Sequence, residues 1–206
     1  MLTAGAIAWT LGPGGPRLVS QFAEGRAVWR LGSLHLEGVK GNALGDLRAA
    51  RASLRDEDGV WAEAIDLAVG WEPLRILTRE ASVRQVSAKT LHIFRQPKLT
   101  PAKPPGGSID VDLNALAIER IVVDEPVFGE AAAFSLSAGL AARGARIDRA
   151  MVDLKRLDAA SDTLKLDLVR RGEVRLDALL EGPKDGFFAA ALKSNEPLRI
   201  VAHADG

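Results

Sequence analysis

The chain has 206 residues, 47% hydrophobic and 26% charged, with 27 basic side chains balancing 27 acidic ones. That length holds one large domain or two small ones, and the charge balance leaves no global field to favour nucleic acid or an anionic membrane. It has no cysteine, no tyrosine and three histidines, which excludes disulfides, thiolate zinc sites and thiol nucleophiles and leaves little for proton shuttling near neutral pH.

Residues 1–11 (MLTAGAIAWTL) form an uncharged apolar run. It is too short to span a bilayer and lacks the basic flank of a signal peptide. The stub of a membrane anchor and an ordinary apolar first strand or helix both fit it. GPGGP (12–16) breaks the run, and residues 17–24 (RLVSQFAE) then predict a short helix ending at Gly25.

Period-two alternation takes over from there. Trp29, Leu31, Leu34 and Leu36 occupy alternating positions, and DEDG (56–59) is a strong turn signal. After it Ile65, Leu67, Val69 and Trp71 alternate with Asp66, Ala68 and Gly70, which predicts a strand with one apolar face. Pro73 stops it, a helical turn is expected over 74–77, and a strand resumes over 83–94 with Leu91 and Ile93 in phase. QPKLTPAKPPGG (96–107) carries four prolines and two glycines and excludes both helix and strand. Similar strands flank it, so it reads as a long hairpin excursion in preference to a boundary between two modules.

The second half repeats the style. Ile109, Val111 and Leu113 alternate with aspartates, and 116–123 continues as strand. Phe134, Leu136, Ala138 and Leu140 follow. Residues 146–157 fit strand and helix equally. Leu164, Leu166 and Leu168 alternate, as do Val174, Leu176, Ala178 and Leu180. Asp185 is a candidate cap for a short helix over 186–193, and Leu198, Ile200 and Ala202 close the chain as strand. The fold class expected is mainly β: an antiparallel meander of roughly ten or more strands, with few short helices including one near the N-terminus. A sheet with one apolar face must bury it against something. With aromatics at 5%, a leucine- and alanine-rich face suits a closed β core and an open greasy groove about equally.

No catalytic pattern emerges. There is no phosphate-cradling glycine motif and no nucleophile elbow around Ser87, Ser135 or Ser137. Asp56, Asp58 and Gly59 form part of a calcium-loop pattern, but Leu67 stands where its closing glutamate belongs, so a plain turn is expected. His35, His92 and His203 lack carboxylate or histidine partners at metal-ligand spacing, and His35 and His92 are expected on solvated surface. The acid pairs Asp110/Asp112 and Asp124/Glu125 read as a solvated face and a turn. No cofactor, metal or enzymatic activity is expected.

The segment GVWAEAIDLAVGWEPLRIL (59–77) is the most distinctive. It has an Asp-Gly turn, Val-Trp, an alternating strand with Asp66-Leu67, then Trp71-x-Pro73-Leu74. It resembles the N-terminal part of TamB-like proteins, inner-membrane subunits of the translocation and assembly module in the AsmA-like superfamily. Leu91-x-Ile93-x-Arg95-x-Pro97, the proline-rich gap, the strand ending at Pro126 and the opening LHLEGVKG (34–41) are similar to further elements of that family.

The resemblance implies a taco-like, elongated β groove over 26–206, with 1–25 the remnant of an inner-membrane anchor followed by a short helix. It implies a periplasmic place in a Gram-negative envelope and transport of phospholipid between inner and outer membranes. An Omp85-type barrel would be the outer-membrane partner, reached through a C-terminal region that lies outside this sequence. The candidate groove residues are Ile65, Leu67, Val69, Leu91, Ile93, Phe134, Leu136, Leu164, Leu166, Leu168, Val174 and Leu176. Two other readings stand beside it: a scaffold that assembles outer-membrane proteins by strand augmentation, and a plain β-sandwich binding domain.

Overall fold

The structure, a computed structural model, describes residues 26–206 apart from 28–29, 43–44, 73–74, 76–78, 101–109, 145 and 159–160. The expected anchor remnant (1–11), the N-terminal helix (17–24), Trp29, most of the turn at 74–77 and the second half of the proline-rich loop lie outside the described residues. The strands are β1 (Arg26–Ala27), β2 (Ser33–Glu37), β3 (Lys40–Gly41), β4 (Asp46–Asp56), β5 (Gly59–Trp71) and β6 (Glu80–Ile93). They continue with β7 (Asp110–Val123), β8 (Ala132–Arg143), β9 (Arg146–Arg156), β10 (Thr163–Arg171), β11 (Glu173–Gly182) and β12 (Leu198–Asp205). Two short helices interrupt them, α1 (Glu125–Phe128) and α2 (Phe187–Ala191).

All the strands join one open, curved sheet in chain order, with β3 paired only to β4. The mainly β, predominantly antiparallel class read from the alternation is therefore the fold. Residues 146–156, ambiguous in sequence, are strand. DEDG closes the β4–β5 hairpin: the Asp56 carboxylate accepts the Asp58 N–H at 2.9 Å, and Gly59 takes φ 102°, a conformation open to glycine at little cost.

The proline-rich segment is not a hairpin excursion, because β6 and β7 pair in parallel. A parallel pair needs a crossover of a dozen or more residues, and residues 94–109 supply it. The pair stands in the middle of the sheet, so the segment divides no modules. Its first part is anchored by Asp56, which accepts the Lys98 N–H at 2.7 Å and binds the Arg95 guanidinium at 2.8 and 2.5 Å. The Thr100 N–H donates to Arg30 O at 3.1 Å.

The connections collect along two margins of the sheet. The β4–β5 turn, the start of the crossover, both helices and the β9–β10 loop lie along one, here the helical margin. The β8–β9 and β10–β11 turns lie along the other, here the turn margin. At the helical margin α1 and α2 fold onto the apolar face. Phe187 packs edge-on to Phe134 (4.9 Å between centroids) and to Phe128 (5.4 Å). Phe134 and Phe187, with Ala88, Ile118, Ile121, Val123, Val127 and Ala132, form the core, and Phe128 caps it from the half-exposed rim.

Asp185 does not cap α2. The N-cap is Gly186 with no side-chain bond, and the cap comes from the β9–β10 loop instead. Asp162, fully buried, accepts the Phe187 N–H at 2.9 Å and the Phe188 N–H at 3.1 Å. These are orphan donors of the first turn. The same carboxylate binds Arg156 Nη1 at 2.9 Å, and Arg156 also reaches Glu130 and Asp158. Burial by itself lowers the Arg156 pKa, but the three carboxylates outweigh it and hold the pKa above its ordinary value.

The strict alternation of β5 breaks at Asp66, which has φ 52°. Ala64 and Leu67, three residues apart, both face the core. The same three-residue step recurs at Ala49/Ala52 on β4, Ala88/Leu91 on β6 and Ile118/Ile121 on β7. Pairing in register carries this crease from strand to strand. It ends at a register shift where Ile118 and Ile121 meet Leu136 and Phe134, two residues apart on β8.

Candidate ligand-binding face

Cross-strand partners share a face of a sheet, so the pairing register maps the faces. One row runs Val69, Val86, Leu116, Ala138, Val152, Leu166, Ala178, Ala202 across eight strands. A second runs Ala88, Ile118, Leu136, Leu154, Leu164, Leu180, Ile200. A third joins Leu140, Ala150, Leu168, Leu176 and Ala204. The result is one continuous apolar face.

The opposite face carries the charge. Arg51 pairs with Glu63 at 3.6 Å, Arg199 with Glu181 at 3.2 Å, and His203 Nδ1 with Asp177 at 2.7 Å.

Along β9 to β12 no second sheet or helical layer covers the apolar face among the described residues, the α2 corner apart. Leu164, Leu166, Leu168, Val174, Leu176 and Leu180 are all half-buried, and Ile200 is 54% exposed. Near the other end of the sheet, Leu34, Leu54, Ala62, Leu67 and Leu91 line an apolar hollow of about 240 Å³. Neither surface offers converging titratable groups, so the chemistry available is desolvation of hydrocarbon.

Of the candidate groove residues, Leu67, Val69, Leu91, Ile93, Leu136, Leu164, Leu166, Leu168, Val174 and Leu176 share this face. Ile65 does not. It pairs with Arg51 and Thr90, because the kink at Asp66 turns it to the polar side. Phe134 is on the face but only 2% exposed, held under Phe187, so it is core and not lining. The alternation marked neither Leu154 nor Val152, hidden in the stretch read equally as helix, and both belong to the rows.

The histidines have partners that sequence spacing did not show. His92 is half-buried, with Nε2 2.7 Å from Asp124 Oδ1 and its ring 4.1 Å from Phe94. His35 is half-buried with Nε2 3.3 Å from Ser33 Oγ. Neither is plain solvated surface. No cluster of metal-ligating side chains occurs among the described residues, and no described helix is long and apolar enough to cross a membrane. Compared with known proteins, the chain matches no family model, no curated protein and no solved structure.

Proposed function

We propose that the chain shelters phospholipid acyl chains on its apolar face, as a module of a TamB-like lipid conduit in a Gram-negative envelope. In that reading the inner membrane, the periplasm and an Omp85-type barrel are its surroundings. One observation carries it. Rows of leucines, valines and alanines run across a single-layer sheet, and from β9 to β12 no second layer covers them among the described residues, the α2 corner apart. Large contiguous apolar surface marks a ligand or partner. Each methylene kept dry is worth about 0.8 kcal/mol, and the rows repeat from strand to strand, so a chain sliding along the sheet meets equivalent sites. A plain β-sandwich would need a second sheet against this face.

The test is native mass spectrometry of the full chain, purified without detergent, with Leu166→Asp and Leu176→Asp beside it. The expected result is phospholipid bound to the parent and lost from both variants, with far-UV circular dichroism unchanged. A folded parent free of lipid, or variants that keep it, sinks the reading. The strand-augmentation scaffold draws on a different feature, the edge of β12, which is unpaired along eight exposed or half-exposed residues among the described ones. It predicts capture of unfolded barrel strands that survives Leu166→Asp and is lost when Val201→Pro blocks the edge.

A further inference from the structure

The charged face varies along the sheet. On β4–β5 and β11–β12 its basic groups meet acids across the strands, as with Arg51 and Glu63 or Arg199 and Glu181. Between β7 and β10, near the turn margin, arginine is in excess. Asp112, Ala141, Arg149 and Val169 form one cross-strand row there, and such a row shares a face. It is the charged face, because the adjoining row of Leu113, Leu140, Ala150 and Leu168 is apolar. Ala141 and Val169 are short, so the surface dips on either side of Arg149. The dip belongs to a cleft of about 920 Å³, within the size range of small-ligand sites.

Five arginines and four acids line this cleft, and they are matched unevenly. Asp148 is one carboxylate shared by two cations, Arg143 at 3.4 Å and Arg146 at 2.8 Å. Glu80 is held from outside the cleft by Arg75 at 2.7 Å, and Asp110 accepts the Gly144 N–H at 3.0 Å. Arg149 has only a long hydrogen bond, 3.5 Å to Asn114 Oδ1, with Asp112 3.9 Å away. Arg171 is exposed and has no partner among the described residues. Glu173, opposite it on β11, does not line the cleft. Arg171 lies two residues beyond Val169, the cross-strand partner of Arg149, so the two arginines are diagonal neighbours on one face, within reach of a shared ligand.

We propose that the cleft is a binding site for a small soluble phosphate, free or carried by a water-soluble organic molecule, gripped between the guanidinium forks of Arg149 and Arg171. Arg170, next in sequence, alternates to the apolar face and is left out of the grip. Two forks reaching in from neighbouring strands select the shape of the anion. A planar carboxylate is satisfied by one fork, whereas a tetrahedral phosphate has oxygens for two. Its charge of about −1.5 to −2 at pH 7 offsets the local excess of arginine. The site stands across the sheet from the leucine rows, so its ligand carries no acyl chain on them. It goes beyond the acyl-chain reading and does not depend on it.

The test is calorimetric titration of the full chain with inorganic phosphate, glycerol 3-phosphate and acetate. The expected result is one phosphate per chain, bound at least about tenfold tighter than acetate, as an added charge-assisted contact allows. Tighter binding of glycerol 3-phosphate than of inorganic phosphate identifies an organic carrier, and parity identifies the free ion. Arg171→Gln, a change at an exposed side chain, should weaken phosphate about tenfold with the urea midpoint unchanged, and Arg149→Gln/Arg171→Gln should abolish binding. Arg199→Gln, on the same face but outside the cleft, should change nothing. A parent that binds no phosphate, acetate bound as tightly as phosphate, or equal losses in Arg171→Gln and Arg199→Gln overturns the site. Leu166→Asp separates the two readings: it should leave phosphate affinity at the parent value whether or not it loses lipid, and a loss of phosphate there overturns the assignment to the charged face.

Discussion

The corner where β7 and β8 meet α2 and the ladder of β10 and β11 obey the same sequence rule and end in opposite states. Both alternate apolar with small or polar residues, β7 with a three-residue step from Ile118 to Ile121. In the first, Ile118, Ile121 and Phe134 are 8%, 7% and 2% exposed. In the second, Leu166, Leu168 and Leu176 on the same face are only half-buried. The difference lies in what returns to cover the strand. Two short helices carry Val127, Phe128, Phe187 and Phe188 back over one margin, and beyond the α2 corner no described element does so over β10 and β11. A period of two shows which side of a strand is apolar, and the chain elsewhere decides whether that side becomes core.

The largest expected effect breaks the covered corner. Phe134→Ala should destabilise the protein by about 3–5 kcal/mol, since it removes a buried ring and leaves a cavity under Phe187. Leu166→Ala should cost about 1 kcal/mol or less, because a half-exposed side chain gives up about half of the transfer energy of a buried one. Denaturant unfolding of both variants measures the contrast. Equal costs would mean that β10 is covered after all and that the groove is closed.

Asp162→Ala attacks the same corner through its polar anchor. It strips the first-turn N–H groups of α2 of their acceptor and leaves the buried Arg156 one carboxylate short. Removing one partner of a buried pair typically costs about 3 kcal/mol. The amides of α2 should then exchange hydrogen much faster, while those of β10 and β11 keep their protection. Uniform loss of protection would show that α2 and the ladder unfold as one unit.

Acid should separate the covered and uncovered regions a third way. Hydrogen bonds from Arg95 hold the Asp56 carboxyl well below the usual carboxylate range, with burial opposing, and the Lys98 and Asp58 N–H groups add to the lowering. For Asp158 burial acts upward, but Arg156 outweighs it and the pKa is lowered. Both sites bind protons less readily folded than unfolded. Their stabilisation is therefore complete above the unfolded carboxylate pKa, about 3.9, and is lost as pH falls toward the folded values. The urea midpoint should hold steady from pH 7 to about 5 and fall below about 4. Asp56→Asn should lower the neutral plateau and flatten the acid limb. A limb unchanged in Asp56→Asn would place the acid sensitivity elsewhere.

The sequence made the strands legible because Leu164, Leu166 and Leu168, or Val174, Leu176 and Leu180, repeat at the strand period over runs bounded by turn residues. The β4–β5 hairpin was legible for the same reason, from Asp56 to Gly59. Three things were not. The parallel pairing of β6 and β7 depends on where residues 94–109 travel, and proline content reports only that they form neither helix nor strand. The cap of α2 comes from Asp162, far along the chain, and local capping rules see only Asp185 and Gly186. The face of Ile65 depends on one backbone angle at Asp66. The apolar lining was thus legible except at positions next to a kink or under a helix.

That angle supplies the smallest and sharpest test. By alternation alone, Asp66 sits in the middle of a strand, and a β-branched residue there should stabilise the sheet. With φ at 52°, a branched side chain meets the backbone crowding that disfavours the left-handed region for all but Gly, Asn and Asp. Asp66→Val should therefore destabilise by about 1 kcal/mol, whereas Asp66→Gly should be neutral or slightly stabilising. The crease also holds Leu67 and Ile65 on opposite faces. Forcing Asp66 into ordinary strand geometry would slip the alternation by one residue and send either Ile65 or Leu67 to the wrong side. An Asp66→Val variant as stable as the parent would show that β5 runs straight, and would return Ile65 to the groove.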